Sequence, residues 1–293
     1  MIRKVSDIML KNFKSIDLLE GVKVAQHLVV NKGIDFFPVF EEDSLIGILT
    51  YKHLIGVHSN RIVADAMSSK IISVSSSTPL WQAKEMFEKN DIDVLLVIDN
   101  EELIGIISKT MLYTELGKHV DLLTGLYKSD YIYYYAKKLI KDKQSATIIF
   151  IDINNFGYID KKYGHIQGDL ILKELAILLK NSIPLETFLC RFGGDEFIVL
   201  TPYALDQCIN LTEYLIKEIS GFHFSNEIKI NVSAGIAISS SQENYENFDS
   251  IVYELINEAS LASTTAKKQK NLFHVAESIV QDSVSKIKYE IIT

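Results

Sequence analysis

Two adjacent carboxylates, Asp195 and Glu196, lie in the stretch Arg-Phe-Gly-Gly-Asp-Glu-Phe at residues 191–197. Strand-like apolar residues flank this stretch, and paired glycines between such runs predict a tight hairpin, because only glycine adopts positive φ without steric cost. Two acids at a hairpin tip pack poorly but are well placed to hold a divalent cation. A solvated turn with two surface acids is the alternative that this stretch alone leaves open.

A third acid, Asp152, stands near the end of the apolar run 147–153, and Asn-Asn-Phe-Gly follows as a turn into a helix. The free N–H groups at the start of a helix favour phosphate. An aspartate beside them is suited to hold magnesium against that phosphate. The alternative for Asp152 is a helix cap.

Helices and strands must alternate around these acids to bring them together. Apolar residues at helical spacing, and strand-like apolar runs elsewhere, distinguish the two kinds of element. The pattern predicts helices over 131–140, 170–180, 205–219 and 252–270, and strands over 147–153, 187–192, 196–200, 228–238 and 272–276.

The composition describes a packed globular chain of about two domains. It has 293 residues, 47% of them hydrophobic and 23% charged, which excludes general disorder. A net charge of −8 argues against a nucleic-acid or anionic-membrane binder. No apolar run reaches membrane-spanning length, the first residues lack a signal-peptide core, and there are two cysteines, Cys190 and Cys208. We therefore expect a soluble, cytoplasmic protein with reduced thiols and no membrane or nucleic-acid partner.

The first hundred residues contain an internal repeat with a spacing of 58 residues. The same spacing relates several segments without a gap, which indicates duplication. The related pairs are Val-Ser-Asp-Ile-Met at 5–9 with Val-Ala-Asp-Ala-Met at 63–67, residues 35–40 with 93–98, and residues 45–50 with 103–108.

Each repeat has a helical stretch (22–31 or 80–89), an apolar strand that ends in acids, a turn, and a second strand with an internal glycine. This order resembles a tandem CBS-domain pair, and the resemblance covers residues 1–115. It implies an α/β fold in which the two repeats bury their sheets together.

The CBS resemblance implies a cleft that often binds an adenine nucleotide, with Thr50 and Ser108 as candidate contacts. The aspartate that usually holds the ribose hydroxyls falls on His53 and Met111, and neither is a carboxylate. Loss of a charged hydrogen bond costs about 1.5–3 kcal/mol. An adenine nucleotide is therefore doubtful; the pair binds another ligand through Thr50, His53 or Ser108, binds weakly, or serves only for dimerisation.

Residues 119–276 carry six signals in order, and residues 277–293 form a short tail. The signals are Asp-x-Leu-Thr-Gly-Leu at 121–126, Asp152 in its strand, Gly-His-x-x-Gly-Asp at 164–169, the motif at 191–197, Val-Ser-x-Gly at 232–235, and Ala-Lys at 266–267. Together they resemble the GGDEF family, the diguanylate cyclases. The resemblance implies a central, mostly antiparallel sheet flanked by helices, similar to the nucleotide-cyclase and polymerase palm folds (α+β).

The GGDEF resemblance implies that a homodimer condenses two GTP into cyclic di-GMP and releases pyrophosphate. It assigns Mg²⁺, or Mn²⁺, to Asp152, the Ile153 carbonyl, Asp195 and Glu196, with Asp195 assisting deprotonation of the attacking hydroxyl. The implied substrate-binding groups are the amides of Phe156, Gly157 and Tyr158, the carboxylates of Asp160 and Asp169, and the amines of Lys267 and Lys270.

Several positions depart from the family pattern. Gly157 replaces a phosphate-binding lysine, and Asp160 replaces a guanine-reading asparagine. The final Ala-Lys-x-x-Gly-Arg-Asn run is one residue short, with Lys270 in place of the arginine. The product-inhibition motif would fall on Pro184 and Thr187 and is missing.

Two functions follow from this pattern. One is an active or weakly active diguanylate cyclase regulated through the CBS pair. The other is an inactive GGDEF domain that binds GTP or another nucleotide and passes the signal to a partner.

Overall fold

The computed structural model describes residues 3–239 and 247–276. The expected tail at 277–293 lies outside the described residues. The chain divides into two compact units, one ending at Lys118 and the other beginning at His119.

The first unit contains two copies of one arrangement, in which a three-stranded sheet is accompanied by two helices. The first copy comprises a 3₁₀ turn at Val5–Asp7, β1 at Ile16–Asp17, α1 at Val22–Lys32, β2 at Phe36–Glu41, β3 at Ser44–Thr50 and α2 at Tyr51–Leu54. The second comprises a 3₁₀ turn at Val63–Asp65, β4 at Ser73–Val74, α3 at Leu80–Asn90, β5 at Val94–Asp99, β6 at Glu102–Ser108 and α4 at Lys109–Gly117.

The sheets have the matching orders β1-β2-β3 and β4-β5-β6, each with one parallel and one antiparallel pair. The register shifts at equivalent places, after Val39 in one sheet and after Val97 in the other. The two copies therefore share their irregularities as well as their strands, and the predicted duplication is confirmed.

The two copies exchange their leading segments. The segment before β1 pairs with β6, where Leu10 and Ile106 exchange two backbone hydrogen bonds of 2.8 and 3.0 Å. The segment between the copies pairs with β3, where Ile48 and Ser68 exchange two bonds of 2.9 Å. The sheet of each copy is therefore extended by a segment that leads into the other copy.

The glycine inside the second strand of each copy makes room for this exchange. A Cβ on Gly105 would lie 2.9 Å from Sδ of Met9, and one on Gly47 would lie 2.5 Å from the Ser68 carbonyl oxygen. A side chain at Gly47 or Gly105 would push the paired segment away from the strand.

The second unit has a five-stranded sheet in the order β11-β10-β7-β9-β8 with helices on both faces. Three strand pairs are antiparallel and only β10–β11 is parallel, so the expected mostly antiparallel sheet is confirmed. Its elements are α5 at Ser129–Lys141, β7 at Thr147–Ile153, α6 at Phe156–Tyr163, α7 at His165–Ser182, β8 at Phe188–Arg191, β9 at Glu196–Thr201, α8 at Leu205–Gly221, β10 at Val232–Ile238, α9 at Phe248–Gln269 and β11 at Phe273–Val275.

Side-chain alternation along β7 separates the two faces of this sheet. Ile149, Ile151 and Ile153 join the core formed with α7 and α8. Asp152 has the opposite parity and lies on the face that is packed by α9. The strand therefore buries its apolar residues and directs one carboxylate toward a helix.

Candidate active site

The acids predicted to act together meet at one end of the two central strands. Asp152 on β7 is paired in register with Glu196, the first residue of β9. Asp195 directly precedes Glu196, and its carbonyl oxygen accepts a hydrogen bond of 3.3 Å from the Ile153 amide. All three acids are partly buried. The fold therefore places three negatively charged side chains near one another at the base of the hairpin.

The hairpin glycines differ from the prediction, because neither Gly193 nor Gly194 has positive φ. A Cβ on Gly193 would instead collide with Oε2 of Glu196, whereas nothing lies within 4 Å of a Cβ on Gly194. Gly193 therefore gives room to the Glu196 carboxylate rather than supplying a left-handed turn.

Arg191 anchors the hairpin to the turn at 121–126, a contact that the sequence did not predict. Its Nε and Nη2 donate to the Gly194 carbonyl at 3.0 and 2.6 Å, and its Nη1 donates to Oδ1 of Asp121 at 2.9 Å. The same oxygen accepts bonds from the amide and hydroxyl of Thr124 at 2.9 and 2.6 Å. The turn at 121–126 thus serves as a support for the acidic hairpin.

The acids repel one another and are partly withdrawn from water. Burial is the largest cause that raises the pKa of Asp195, and the negative charge of Asp152 raises it further. Burial, followed by the charges of Asp152 and Asp195, likewise raises the pKa of Glu196. The positive charge of Lys267 opposes both shifts. Partly buried carboxylates that repel one another are stabilised in their charged form by a nearby cation.

Lys267, which was expected to reach the terminal phosphates, lies in the last turn of α9 and contacts an acid. Its Nζ is 2.5 Å from Oδ1 of Asp152. Both side chains retain some exposure to solvent. In this arrangement the lysine neutralises the carboxylate that was expected to hold metal.

The acids fit a magnesium site of the kind completed by a substrate. Over the ranges 3–239 and 247–276, no three His, Cys, Asp or Glu side chains converge as a metal-binding group. Magnesium in phosphate-transferring sites is usually held by one or two carboxylates together with substrate phosphates. Asp152 and Asp195 with the Ile153 carbonyl supply such a hard-oxygen set. The Glu196 carboxylate is directed toward Gly193.

The loop between β7 and α6 is held so that it presents backbone amides. Asn155 adopts a left-handed conformation with φ of 58° just before α6. Asn154 accepts a hydrogen bond of 2.9 Å from the Ser233 hydroxyl. No described residue accepts a hydrogen bond from the amides of Phe156 or Gly157, as is usual in the first turn of a helix.

Tyr158 differs from the other two amides assigned to phosphate. Its N–H already donates to the Asn155 carbonyl at 2.9 Å. The loop therefore offers two free amides where the sequence predicted three, because the turn into α6 uses the third internally.

The two acids assigned to guanine lie on consecutive helices. Oδ2 of Asp160 on α6 lies 3.2 Å from Nδ1 of His165. Oδ1 of Asp160 lies against Gly168, in space that a Cβ at that position would fill. Asp169 is exposed at the start of α7. Gly168 thus lets α6 approach α7 closely enough for both acids to flank the same junction.

Lys270, predicted to stand in for the arginine of the family run, ends α9 in the left-handed conformation, with φ of 60°. Glycine usually occupies this position at helix ends. Lys270 therefore takes the backbone role of the glycine in that run, and its exposed side chain begins one residue earlier than an arginine would.

The candidate ligand contacts in the first unit begin helices. The Thr50 amide donates to Nδ1 of His53 at 3.1 Å, and the Ser108 hydroxyl accepts from the Met111 amide at 3.2 Å. Burial lowers the pKa of His53, which favours the neutral ring that accepts this bond. These residues have a structural role at the starts of α2 and α4, independent of any ligand.

Family models match both parts of the chain. A model described as "Diguanylate cyclase, GGDEF domain" matches residues 118–272, more than half of the sequence. The chain belongs to the GGDEF family. A CBS-domain model matches residues 5–60 and 63–118, so two CBS domains precede the GGDEF domain.

Curated relatives correct one expectation about this GGDEF protein. It is 39% identical over 126 residues to an uncharacterized membrane protein of Staphylococcus saprophyticus, covering 40% of this chain and 35% of the relative. It is 39% identical over 106 residues to an uncharacterized membrane protein of Staphylococcus aureus (strain USA300), covering 34% and 30%. The chain thus spans about a third of the length of these relatives. Their description as membrane proteins contradicts the expected cytoplasmic location. Within the described part of the chain, no helix is long and apolar enough to cross a membrane.

Solved structures similar to the chain include other GGDEF domains. The GGDEF domain of YfiN from Pseudomonas aeruginosa is 22% identical and covers 53% of this chain and 98% of its own, with a TM-score of 0.47. The GGDEF domain of DgcB from Caulobacter crescentus, in complex with c-di-GMP, is 20% identical and covers 54% and 96%, with a TM-score of 0.48.

Proposed function

We propose that this protein is a diguanylate cyclase that condenses two GTP into cyclic di-GMP with release of pyrophosphate. The observation that carries the proposal is that Asp152 lies opposite Glu196 in the register of β7 and β9, with Asp195 next to it, at one end of the central strands. Membership of the GGDEF family supplies the reaction class.

The reaction requires each 3′-hydroxyl to attack the α-phosphate of the other GTP. Two GGDEF domains must therefore face each other, and we propose a homodimer as the active species. Asp195 would accept the proton of the attacking hydroxyl.

Asp152, Asp195 and the Ile153 carbonyl would hold the metal, Mg²⁺ or Mn²⁺, with Glu196 beside them. When bound, this ion neutralises charge that develops on the phosphoryl oxygens. Lys267 would leave Asp152 for the terminal phosphates as the ion takes over neutralisation of that carboxylate. A long, partly exposed lysine can make this exchange with little rearrangement.

The remaining substrate contacts would come from the loop between β7 and α6, from α6 and α7, and from the end of α9. The free amides of Phe156 and Gly157 would bind phosphate oxygens, and the glycine permits close approach of the backbone. Asp160 and Asp169 would accept hydrogen bonds from the guanine N1 and N2 donors. Lys270 would contribute charge near the phosphates from the end of α9.

Incubation with GTP and Mg²⁺, followed by chromatography of the nucleotides, tests the proposal. We expect cyclic di-GMP from the wild-type protein and a loss of at least about 100-fold for Asp195→Asn, since this variant removes both a charge and a base. Glu213→Gln, an exposed acid on α8, is the matched control and should retain full activity. No product from concentrated wild-type protein would refute the proposal.

A nucleotide-sensing module without turnover is the second candidate. The pairing of Lys267 with Asp152 favours it, as does the placement of Lys270 at the helix end. Thermal-shift measurements with GTP, AMP, ATP and cyclic di-GMP separate the two candidates. A shift with GTP and no product supports the sensor. A shift with AMP or ATP would instead assign an adenine nucleotide to the CBS domains, which would then regulate the GGDEF domain.

A further inference from the structure

Strand β10 carries small residues on the face that α9 covers. Side chains alternate along a strand, so Ser233, Gly235 and Ala237 share that face. α9 approaches closely, because a Cβ on Gly235 would collide with backbone atoms of that helix. The packing therefore requires small side chains at these positions. Only position 233 carries a polar group, and Ser233 is 1% exposed to solvent.

The Ser233 hydroxyl has a single partner within the described part of the chain. It donates a hydrogen bond of 2.9 Å to Oδ1 of Asn154. Burial of a hydroxyl costs free energy that only its hydrogen bond offsets, whereas an alanine at the same place would carry no such cost. The bond to Asn154 is therefore what the hydroxyl contributes at this position.

Asn154 is held to β10 in two ways. Its backbone N–H donates to the Asn231 carbonyl at 2.8 Å, and its side chain accepts the bond from Ser233. The backbone bond continues the strand pairing by one residue beyond β7. The side-chain bond keeps Asn154 on the face that also carries Asp152, which lies opposite Ser233 in the strand register.

A single residue separates Asn154 from the amides proposed to bind phosphate. Asn155 reverses the chain in a left-handed conformation, with φ of 58° and ψ of 34°, and the N–H groups of Phe156 and Gly157 follow. A residue other than glycine keeps this conformation only where its surroundings hold it. Asn154 supplies that hold on the strand side, so the direction of the two amides depends on how firmly Asn154 is fixed.

We propose that Ser233 is a positioning residue, which acts through Asn154 to direct the amides of Phe156 and Gly157 toward the phosphates of a nucleoside triphosphate. Ser233 itself does not touch the nucleotide. The inference rests on the proposed function for the identity of the ligand. Because Ser233 also lies opposite Asp152, one residue of β10 sets the loop between β7 and α6 beside the carboxylate proposed to hold the metal.

Ser233→Ala in the full chain tests the proposal. Calorimetric titration with α,β-methylene GTP and Mg²⁺ measures nucleotide affinity without turnover, because the methylene group prevents release of pyrophosphate. We expect the variant to bind this analogue about fivefold more weakly or worse, since a side-chain hydrogen bond that orients the loop is lost. With GTP as substrate, KM should rise by a similar factor while kcat stays within about twofold of wild type.

Ser263→Ala is the matched control. Ser263 on α9 is also buried, and its hydroxyl donates to the Ser233 carbonyl at 3.1 Å. Its loss therefore disturbs the same strand without touching the loop. The thermal midpoint should fall by a similar amount in both variants, and only Ser233→Ala should lose affinity. An equal loss of affinity in the two would show a general loosening between β10 and α9 and overturn the proposal.

A double-mutant cycle tests whether the effect passes through Asn154. In the background of Asn154→Ala, removal of the Ser233 hydroxyl should change the affinity for the analogue no further. Losses that simply add would overturn the proposal. If Ser233→Ala fails to fold, Ser233→Cys takes its place, because a thiol is close in size and donates only weakly; it should also bind the analogue more weakly than wild type.

Unchanged affinity in the substituted protein, or a wild-type protein that does not bind the analogue, overturns the proposal. A wild-type protein that binds the analogue through this loop but yields no cyclic di-GMP from GTP would refute the cyclase and leave the role of Ser233 standing.

Discussion

Arg191 and Lys267 are the two cations beside the acids of the site, and their surroundings differ. Arg191 is largely buried and spans from the Gly194 carbonyl to Asp121. Lys267 makes one bond from a more exposed position. An arginine that donates to two groups at fixed angles holds structure, whereas a lysine on a flexible stem can change partner. Replacement of Arg191 should therefore lower stability, whereas replacement of Lys267 should weaken substrate binding.

The Asp121–Arg191 contact should make stability depend on pH. Burial raises the pKa of Asp121, but bonds from Thr124 and Arg191 together with the arginine charge outweigh it, so the pKa is lowered. A depressed pKa stabilises the fold above the ordinary aspartate value of about 3.9 and loses that effect as pH falls through the folded pKa. Asp121→Asn should cost about 1 kcal/mol at neutral pH, measured by urea unfolding.

The pH dependence separates this contact from a general packing defect. The difference between wild type and Asp121→Asn should shrink as the carboxyl protonates, below about pH 4. Asp206→Asn, an exposed aspartate in the first turn of α8, serves as the comparison and should change stability only slightly. An equal loss at neutral and acid pH would show that the Asp121 charge is not what stabilises the turn.

Individual side chains were also the least predictable part of the site. The acids of the hairpin could be located because family motifs and a strand end mark them in the sequence. The pairing of Lys267 with Asp152, and the internal bond of the Tyr158 amide, could not be located, because each depends on how a helix meets a strand. The role of Gly193 was misread because crowding by Glu196 has no sequence signal distinct from a turn.

At the scale of elements, the repeat in the first unit predicted boundaries closely. Helices α1 and α3 begin 58 residues apart, as do β2 and β5 and also β3 and β6, so the repeat spacing and the apolar pattern together located them. In the second unit the start of β10 was placed four residues early, at 228, because the apolar run continues past the sheet. Periodicity marks an apolar segment but not the point at which its hydrogen-bonding partner ends.

The contact between β10 and α9 predicts the effect of one substitution. A Cβ on Gly235 would collide with the Ala259 carbonyl and the Ser263 amide, which are backbone atoms that cannot rotate away. Gly235→Ala should therefore destabilise the protein by about 1–3 kcal/mol, seen as a lower thermal midpoint. Because α9 carries Lys267, its displacement should weaken GTP binding as well.

Gly221→Ala gives the matched comparison for this substitution. Gly221 is the last residue of α8, lacks positive φ, and has nothing within 4 Å of a Cβ. Its replacement should be neutral or stabilise by up to about 1 kcal/mol through reduced freedom of the unfolded chain. Equal midpoints for the two variants would mean that α9 yields to the added methyl group.

For the whole molecule, the proposed reaction sets a requirement on how two chains meet. The proposed condensation needs two GGDEF domains, and two separate monomers meet at a rate set by their bulk concentration. An interface in the CBS unit would make that second encounter intramolecular and raise its effective concentration.

This requirement predicts how activity depends on enzyme concentration. Above the dissociation constant of the dimer, wild-type specific activity should be constant. Below that constant, specific activity should fall as the protein is diluted and recover as protein is added, because only the dimeric fraction turns over. Specific activity that stays constant on dilution below the dissociation constant, as measured by sedimentation, would contradict the requirement for a dimer.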